Sequence, residues 1–107
     1  MSEILLPNKD DVLNRVMKEP VTGIATVTAT AAEIFAGTSA LEGRRRMIIK
    51  NEDPSLRCRI GGSDVSQHNG FPLEPGATLE LAFDPEEEKP VYAISEGTEM
   101  EVSLIEW

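Results

Sequence analysis

The chain has 107 residues, of which 10 are lysine or arginine and 19 are aspartate or glutamate, so its formal net charge is −9. A chain of this length is expected to form one domain. The negative charge argues against nucleic acids and anionic membrane surfaces as partners, because both are bound mainly through basic side chains. A single cysteine excludes an internal disulfide.

The N-terminal segment predicts a short helical arm over residues 1–20. Residues 8–19 read NKDDVLNRVMKE, with Asn8 as a suitable N-cap and Pro20 as a stop. Apolar residues fall on one face of this helix, which is marginal by itself at twelve residues. We therefore expect the arm to pack, either on a partner or sister subunit or back on its own domain. The candidate docking residues are Leu5, Leu6, Val12, Leu13, Val16 and Met17.

Residues 21–107 predict an all-β domain. Short runs rich in β-branched residues recur every 8–12 residues and are separated by glycine and proline turns. This spacing favours an antiparallel β-sandwich, jelly-roll-like or immunoglobulin-like, of about seven to nine strands. Strands are expected in residues 21–30, 32–37, 47–51, 56–60, 77–84, 90–95 and 98–107, with a small one around Asp64–Ser66.

One strand shows the two faces of the expected sheet clearly. In the run LRCRI, Leu56, Cys58 and Ile60 alternate with Arg57 and Arg59. Such alternation is typical of a strand with one buried and one solvated face. It predicts that the cysteine is a buried, inert core thiol.

Turn chemistry indicates where the strands end. Gly61 and Gly62 are expected to end a strand at positive φ, and Pro75-Gly76 is expected to form a turn before the next strand. The acidic run at 84–88 predicts a solvated hairpin turn. The triplet Arg44–Arg46 could clamp a phosphate or carboxylate, but a salt network with the acids just after Phe83 is the simpler expectation.

The sequence offers little for catalysis or metal binding. The one histidine, His68, lies in a polar segment with Asp64 four residues away, and we expect it to be an exposed loop residue. One histidine and one cysteine cannot complete a zinc site. The sequence therefore predicts no catalytic residue, no bound cofactor and no metal site.

The order of turn residues resembles a small β-sandwich module of tailed-phage virion structural proteins. The matching segments are ATAAEIFAGTSALEGRRRMIIKN, RIGGSDVSQHNGFPLEPGATLEL and VYAIS, which together span about residues 26–106. The chain departs from the family pattern in its arginine triplet and in its acidic DPEEEK hairpin. Since the shared pattern is structural, no functional residues carry over.

This resemblance implies a non-enzymatic particle protein. It would dock as a homo-oligomer on the capsid or on other virion proteins, as a head decoration protein, the base of a head fibre or spike, or a tail accessory. It would be assembled in the host cytoplasm. The N-terminal apolar run is too short for a signal peptide and has no basic start, which also predicts synthesis in a cytoplasm. The alternative is a carbohydrate-binding or adhesive module of a tail or spike, with Phe71 and Trp107 as candidate sugar platforms. A third hypothesis is an acidic mimic of nucleic acid.

Overall fold

A computed structural model describes residues 19–107, and in this part of the chain eight β-strands make up the regular structure. They form two antiparallel sheets of four strands, ordered β1-β8-β3-β6 in the first sheet and β2-β7-β4-β5 in the second. The predicted all-β fold is confirmed. In chain order the strands are β1 Val21–Val27, β2 Ala32–Glu33, β3 Arg46–Asn51, β4 Cys58–Gly61, β5 Phe71–Leu73, β6 Thr78–Ala82, β7 Tyr92–Ser95 and β8 Met100–Glu106.

The predicted helical arm lies outside the described residues except for its last two, Glu19 and Pro20, which precede β1 without regular structure. Residues 19–107 contain no helix that is long and apolar enough to cross a membrane.

The strand pairing explains how one chain makes two layers. The chain forms one long hairpin whose tip lies between β4 and β5. Its two arms are joined by the strand pairs β1–β8, β2–β7, β3–β6 and β4–β5. The hairpin is rolled up, because β8 also pairs with β3 and β7 also pairs with β4. The strands of the hairpin are thereby distributed over both sheets, and their apolar faces meet between the two layers.

The two sheets enclose one hydrophobic core, so the arrangement is sandwich-like. Its side chains come from alternate positions of the strands and from the segments beside them, as the period of two requires. Large apolar side chains in the centre are almost fully removed from water. The buried cluster consists of Val27, Ile34, Met47, Ile49, Cys58, Ile60, Leu73, Val91, Ala93, Met100, Val102 and Leu104.

Asn51 at the end of β3 joins the sheets by hydrogen bonds inside the core. Its side chain is fully buried, and its Nδ2 donates to the carbonyl oxygens of Leu56 and Leu73, each at 2.9 Å. Its Oδ1 accepts from the backbone N–H of Asp53 at 2.8 Å. A buried amide is stable only when its polar atoms have partners. These bonds therefore fix the first sheet against the second.

Two local predictions are wrong. The small strand around Asp64–Ser66 is absent from the described structure, which has only an isolated bridge between Ser66 and Asn69 there. Positive φ occurs at Gly70 (φ 117°) and not at Gly61 or Gly62, because the 62–70 loop needs the unusual backbone at its return to β5. The turn prediction at Pro75-Gly76 is confirmed, with φ 78° at the glycine.

Candidate functional site

The six residues predicted for partner docking all lie outside the described residues. They are Leu5, Leu6, Val12, Leu13, Val16 and Met17. The arm leads at Pro20 into β1, which is an edge strand of the first sheet.

The outer face of the first sheet carries three isoleucines. Ile48 on β3 and Ile105 on β8 are register partners, and Ile24 on β1 lies diagonally beside Ile105, opposite Ser103. Ile24 is 65% exposed, and the other two are half-buried. The isoleucine face is defined here by these three residues with the flanking Thr22, Lys50 and Ser103, which line one shallow depression.

Alternation along the strands places these isoleucines outside. Ile48 stands between the fully buried Met47 and Ile49, so its side chain must point to the opposite side of the sheet. Covering such a side chain is worth roughly 1.5–3 kcal/mol. An apolar patch of this kind on the outer face of a sheet is typical of a contact surface.

Polar contacts surround the isoleucine face. Arg46 and Glu80 form an ion pair at 2.7 Å with both side chains about half exposed. On the opposite side, the Ser103 hydroxyl donates to Glu52 at 2.7 Å. An apolar centre inside a polar rim is the usual anatomy of a protein–protein contact.

The outer face of the second sheet differs, because it carries paired charges. Arg57 donates from Nε and Nη2 to the two carboxylate oxygens of Glu96, at 2.9 and 3.0 Å, and from Nη1 to Glu74 at 3.1 Å. Arg59 donates to Glu96 at 2.7 Å and to the carbonyl oxygen of Gly70 at 3.1 Å. These four charged side chains define the arginine–glutamate face.

Ion pairing on this face is visible in the pKa directions of its members. Hydrogen bonds from Arg57, with a smaller contribution from Arg59, hold the pKa of Glu96 below its ordinary value. The hydrogen bond to Glu96 correspondingly raises the pKa of Arg57. The charges on this face are therefore satisfied within the chain.

The arginine triplet finds different partners from those predicted. Arg44 is buried and forms an ion pair with the fully buried Glu106, with Nη1 at 2.5 Å from Oε2. Its Nη2 donates to the carbonyl oxygen of Lys89 at 2.7 Å, and its guanidinium lies 4.3 Å from the ring centroid of Phe83. Arg46 pairs with Glu80. The expected network with the acids at 84–88 is thus wrong, since the side-chain partners lie in β6 and β8.

The sequence contains a signal that the carboxylate of Glu106 is buried. Met100, Val102 and Leu104 alternate inward along β8, and two further residues bring the same pattern to Glu106. A carboxylate at an inward position needs a cationic partner. The pattern identifies Glu106 as buried, although it does not identify Arg44, 62 residues away, as the partner.

The residues considered for chemistry lie apart. Cys58 is fully buried in β4, and burial, with a smaller effect of Glu96, raises the pKa of its thiol to about 11. The predicted inert core thiol is confirmed in its placement. His68 is exposed in the turn between Ser66 and Asn69, as predicted. In the part of the chain from 19 onward, no three histidine, cysteine or acidic side chains are grouped closely enough to hold a metal ion.

The two aromatic residues proposed as sugar platforms belong to different sheets. Phe71 begins the edge strand β5 of the second sheet and is 57% exposed. Trp107 follows β8 in the first sheet and is half-buried, and its backbone N–H donates to the carbonyl oxygen of Arg46. Only Phe71 therefore offers a largely open aromatic face.

Comparison of the chain with models of known protein families, with curated proteins and with solved structures gave no match.

Proposed function

We propose that the protein is a non-enzymatic structural component of a phage or phage-like particle, where it docks as an oligomer on the capsid as a decoration protein or as the base of a head fibre or spike. In this proposal residues 1–20 are a helical docking arm and residues 21–107 are a β-sandwich of the jelly-roll type.

The strand order supports the fold part of the proposal. An eight-stranded hairpin rolled into two four-stranded sheets is the arrangement of a jelly roll, an architecture used by viral capsid and lectin domains. This support is an analogy at the level of fold, since the same fold serves unrelated functions. The functional part depends on the surface.

The isoleucine face is the observation that carries the docking proposal. Ile24, Ile48 and Ile105 form an apolar centre on an otherwise polar sheet, and Ile24 remains 65% exposed. A partner that covered these side chains would gain several kcal/mol before the costs of association. Repetition on a symmetric shell would multiply this modest gain through avidity.

The order of the chain is compatible with the same surface. Residues 1–18 precede Glu19 and Pro20, which lead into β1, the strand that carries Ile24. In this proposal the candidate docking residues of the arm and the isoleucine face would together form a composite surface that a capsid protein could recognise.

Co-sedimentation with purified empty shells tests this proposal. The Ile105→Lys variant places a charge in the centre of the isoleucine face, between the uncharged Thr22 and Ile48. We expect it to lower the shell-bound fraction at least about tenfold, since an unpaired charge in a contact costs more than about 1.4 kcal/mol. The matched control Thr98→Lys adds the same charge in an exposed bend between β7 and β8 and should bind like wild type. Equal binding by both variants, or no binding by wild type, would refute the docking role.

Deletion of residues 1–19 tests the arm. The described body has one closed core, so the shortened chain should keep the circular dichroism of a β protein while losing attachment to shells. Loss of the folded spectrum would mean that the arm is part of the core and not a docking element.

Phe71 supports the second candidate function, an adhesive module that binds glycans. An exposed aromatic side chain on an edge strand can stack on the apolar face of a sugar ring. A glycan array would have to give a specific hit that is lost in Phe71→Ala and kept in Ile105→Lys. A hit with that dependence would favour this function over shell docking.

A further inference from the structure

β1 has an open edge among the described residues. On one side all seven residues of Val21–Val27 pair with β8. On the other side, no backbone hydrogen bond from elsewhere in residues 19–107 reaches this strand. A strand in this position presents unpaired N–H and C=O groups to any chain that can align with them.

The other edge strands carry devices that discourage such pairing. β6 presents Glu80 in an ion pair with Arg46, and β2 has two residues. β5 has three residues, one of which is Pro72 and has no N–H to donate. β1 is the long exception: seven residues, no charge, and an exposed isoleucine in the middle.

The sequence of β1 is nearly symmetric about Ile24. Reading VTGIATV from both ends pairs Val21 with Val27, Thr22 with Thr26 and Gly23 with Ala25. Two identical strands meet antiparallel when a two-fold axis relates them, and each residue i then faces residue j while j faces i. A strand that is alike from both ends is therefore complementary to a second copy of itself.

We infer that β1 pairs antiparallel with β1 of a second copy of the chain, with Ile24 opposite Ile24 at the two-fold axis. In this register valine faces valine, threonine faces threonine, and the small residues Gly23 and Ala25 face each other. Outward positions face outward positions, as a regular ladder requires. The two first sheets become one sheet of eight strands.

Packing within the chain is consistent with a second copy pairing at the open edge of β1. Gly23 pairs with the buried Leu104, so a side chain at position 23 would point inward, where a Cβ would overlap the carbonyl oxygen of Ala36. The 34–37 segment thus covers the inner side of β1. The exposed Ile24 on the outer side gains cover from its counterpart in the second copy.

This pairing deepens the proposed function, because it names the contact within the oligomer that would dock on the shell. The part concerning the shell rests on the proposed function, whereas the pairing itself does not. In the dimer the two isoleucine faces lie side by side on one surface. A single strand pair is small for an interface, so the dimer should form in a concentration-dependent way.

A pair of double variants that differ at one residue tests the register. Thr22 of one copy faces Thr26 of the other, so T22K/T26K places lysine opposite lysine twice, whereas T22E/T26K places glutamate opposite lysine twice. Position 22 has the uncharged Ile105 as its neighbour in β8, so the exchange affects the interior of the monomer little. Circular dichroism of both full-length variants checks that they fold.

Sedimentation velocity over about a hundredfold range of protein concentration gives the readout. We expect the wild type and T22E/T26K to reach the mass of two chains and T22K/T26K to weaken association at least about tenfold. Equal association of the two variants, a wild type that stays monomeric throughout, or a mass of three chains would overturn the inference.

Cysteine cross-linking provides an independent measurement. Cα atoms opposite each other in an antiparallel pair are about 4.5–5.5 Å apart, which a disulfide can span. Ile24→Cys should therefore give a covalent dimer in oxidised glutathione, while Thr26→Cys, which faces position 22, should not. Cys58 is fully buried and does not interfere.

Equal cross-linking of the two variants would overturn the two-fold register. A dimer with this pattern that does not bind shells would preserve the inference and refute the proposed function. A protein that stays monomeric in solution and still binds shells would refute the inference and preserve shell docking.

Discussion

The two outer faces of the protein differ in how far their apolar side chains are exposed to solvent. On the second sheet, Ile94 faces the same side as its register partner Arg59 and yet is only 6% exposed. On the first sheet, Ile24 faces outward and is 65% exposed. Long arginine side chains can cover apolar surface while their charged ends stay in water. One face is therefore complete within the chain, whereas the other has apolar surface left to cover.

The charges on the two faces lead to the same distinction. Arg57 and Arg59 are engaged by Glu96 at 2.7–3.0 Å, which leaves little free charge for an anionic ligand. The isoleucine face has its charges, Lys50 and the Arg46–Glu80 ion pair, at its margin. A face whose charges are already ion-paired within the chain is typical of a solvated surface. A face with exposed apolar side chains is typical of a contact surface.

The largest expected effect is a difference in reactivity between the thiol of Cys58, beneath the arginine–glutamate face, and a thiol placed on the isoleucine face. Cys58 lies between Arg57 and Arg59 in the sequence, and its side chain is buried on the inner side of the second sheet. Burial raises the pKa of its thiol to about 11. A thiol reagent at pH 8 should therefore reach it only through unfolding, at least about a thousandfold more slowly than an open thiol. At a protein concentration low enough to keep the chain monomeric and under reducing storage, the second thiol of Ile24→Cys should react at the rate of an exposed cysteine. Rapid modification of the wild-type protein would show that the second sheet opens readily and would break the contrast.

The next effect concerns the core on which both faces rest. Glu106→Ala leaves the Arg44 guanidinium buried without its carboxylate partner and should lower the free energy of unfolding by about 3–5 kcal/mol. Urea denaturation followed by circular dichroism measures this loss.

The matched control for that loss is Glu80→Ala, which makes the same substitution in the exposed pair with Arg46. It should cost less than about 1 kcal/mol. Similar losses for the two variants would mean that the Arg44–Glu106 pair is as solvated as the one at the surface.

The smallest effect is a pH dependence on the arginine–glutamate face. The pKa of Glu96 is lowered in the folded state, so its stabilisation is fully present above its ordinary pKa of 4.5 and is lost as the pH falls through the lower folded-state pKa. The wild type should therefore be more stable than Glu96→Gln at neutral pH, and the difference should shrink in acid. Thermal melts from pH 7 downward measure it.

A control substitution in the exposed acidic turn, Glu86→Gln, should leave the melting temperature near that of wild type at neutral pH. A constant difference between wild type and Glu96→Gln at every pH would contradict ion pairing as the cause.

Alternation in the sequence predicted which side of several strands is buried. In LRCRI it correctly separated Cys58 and Ile60 from Arg57 and Arg59, because a single strand's period determines its two faces. It makes no prediction for Ile48, because the residues of MII are all apolar and the run does not indicate which of them points outward. The sequence pattern alone therefore does not reveal the isoleucine face.

Long-range partners could not be predicted from local pattern. The pairing of Arg44 with Glu106 and the meeting of β3 with β8 depend on how the hairpin rolls, which no short segment specifies. The near-symmetry of β1 was present in the sequence, but it gains meaning only when β1 is placed at an edge of the sheet. Loop details such as Gly70 depend on the return path of the 62–70 loop.

Protection of introduced cysteines from a thiol reagent by empty phage shells compares the two outer faces in one experiment. Ile48→Cys reports on the isoleucine face, and Glu74→Cys, at a side chain that is 61% exposed, reports on the arginine–glutamate face. We expect shells to slow the labelling of Ile48→Cys strongly and to leave that of Glu74→Cys unchanged. Protection of Glu74→Cys with free labelling of Ile48→Cys would show that the protein docks through the other face.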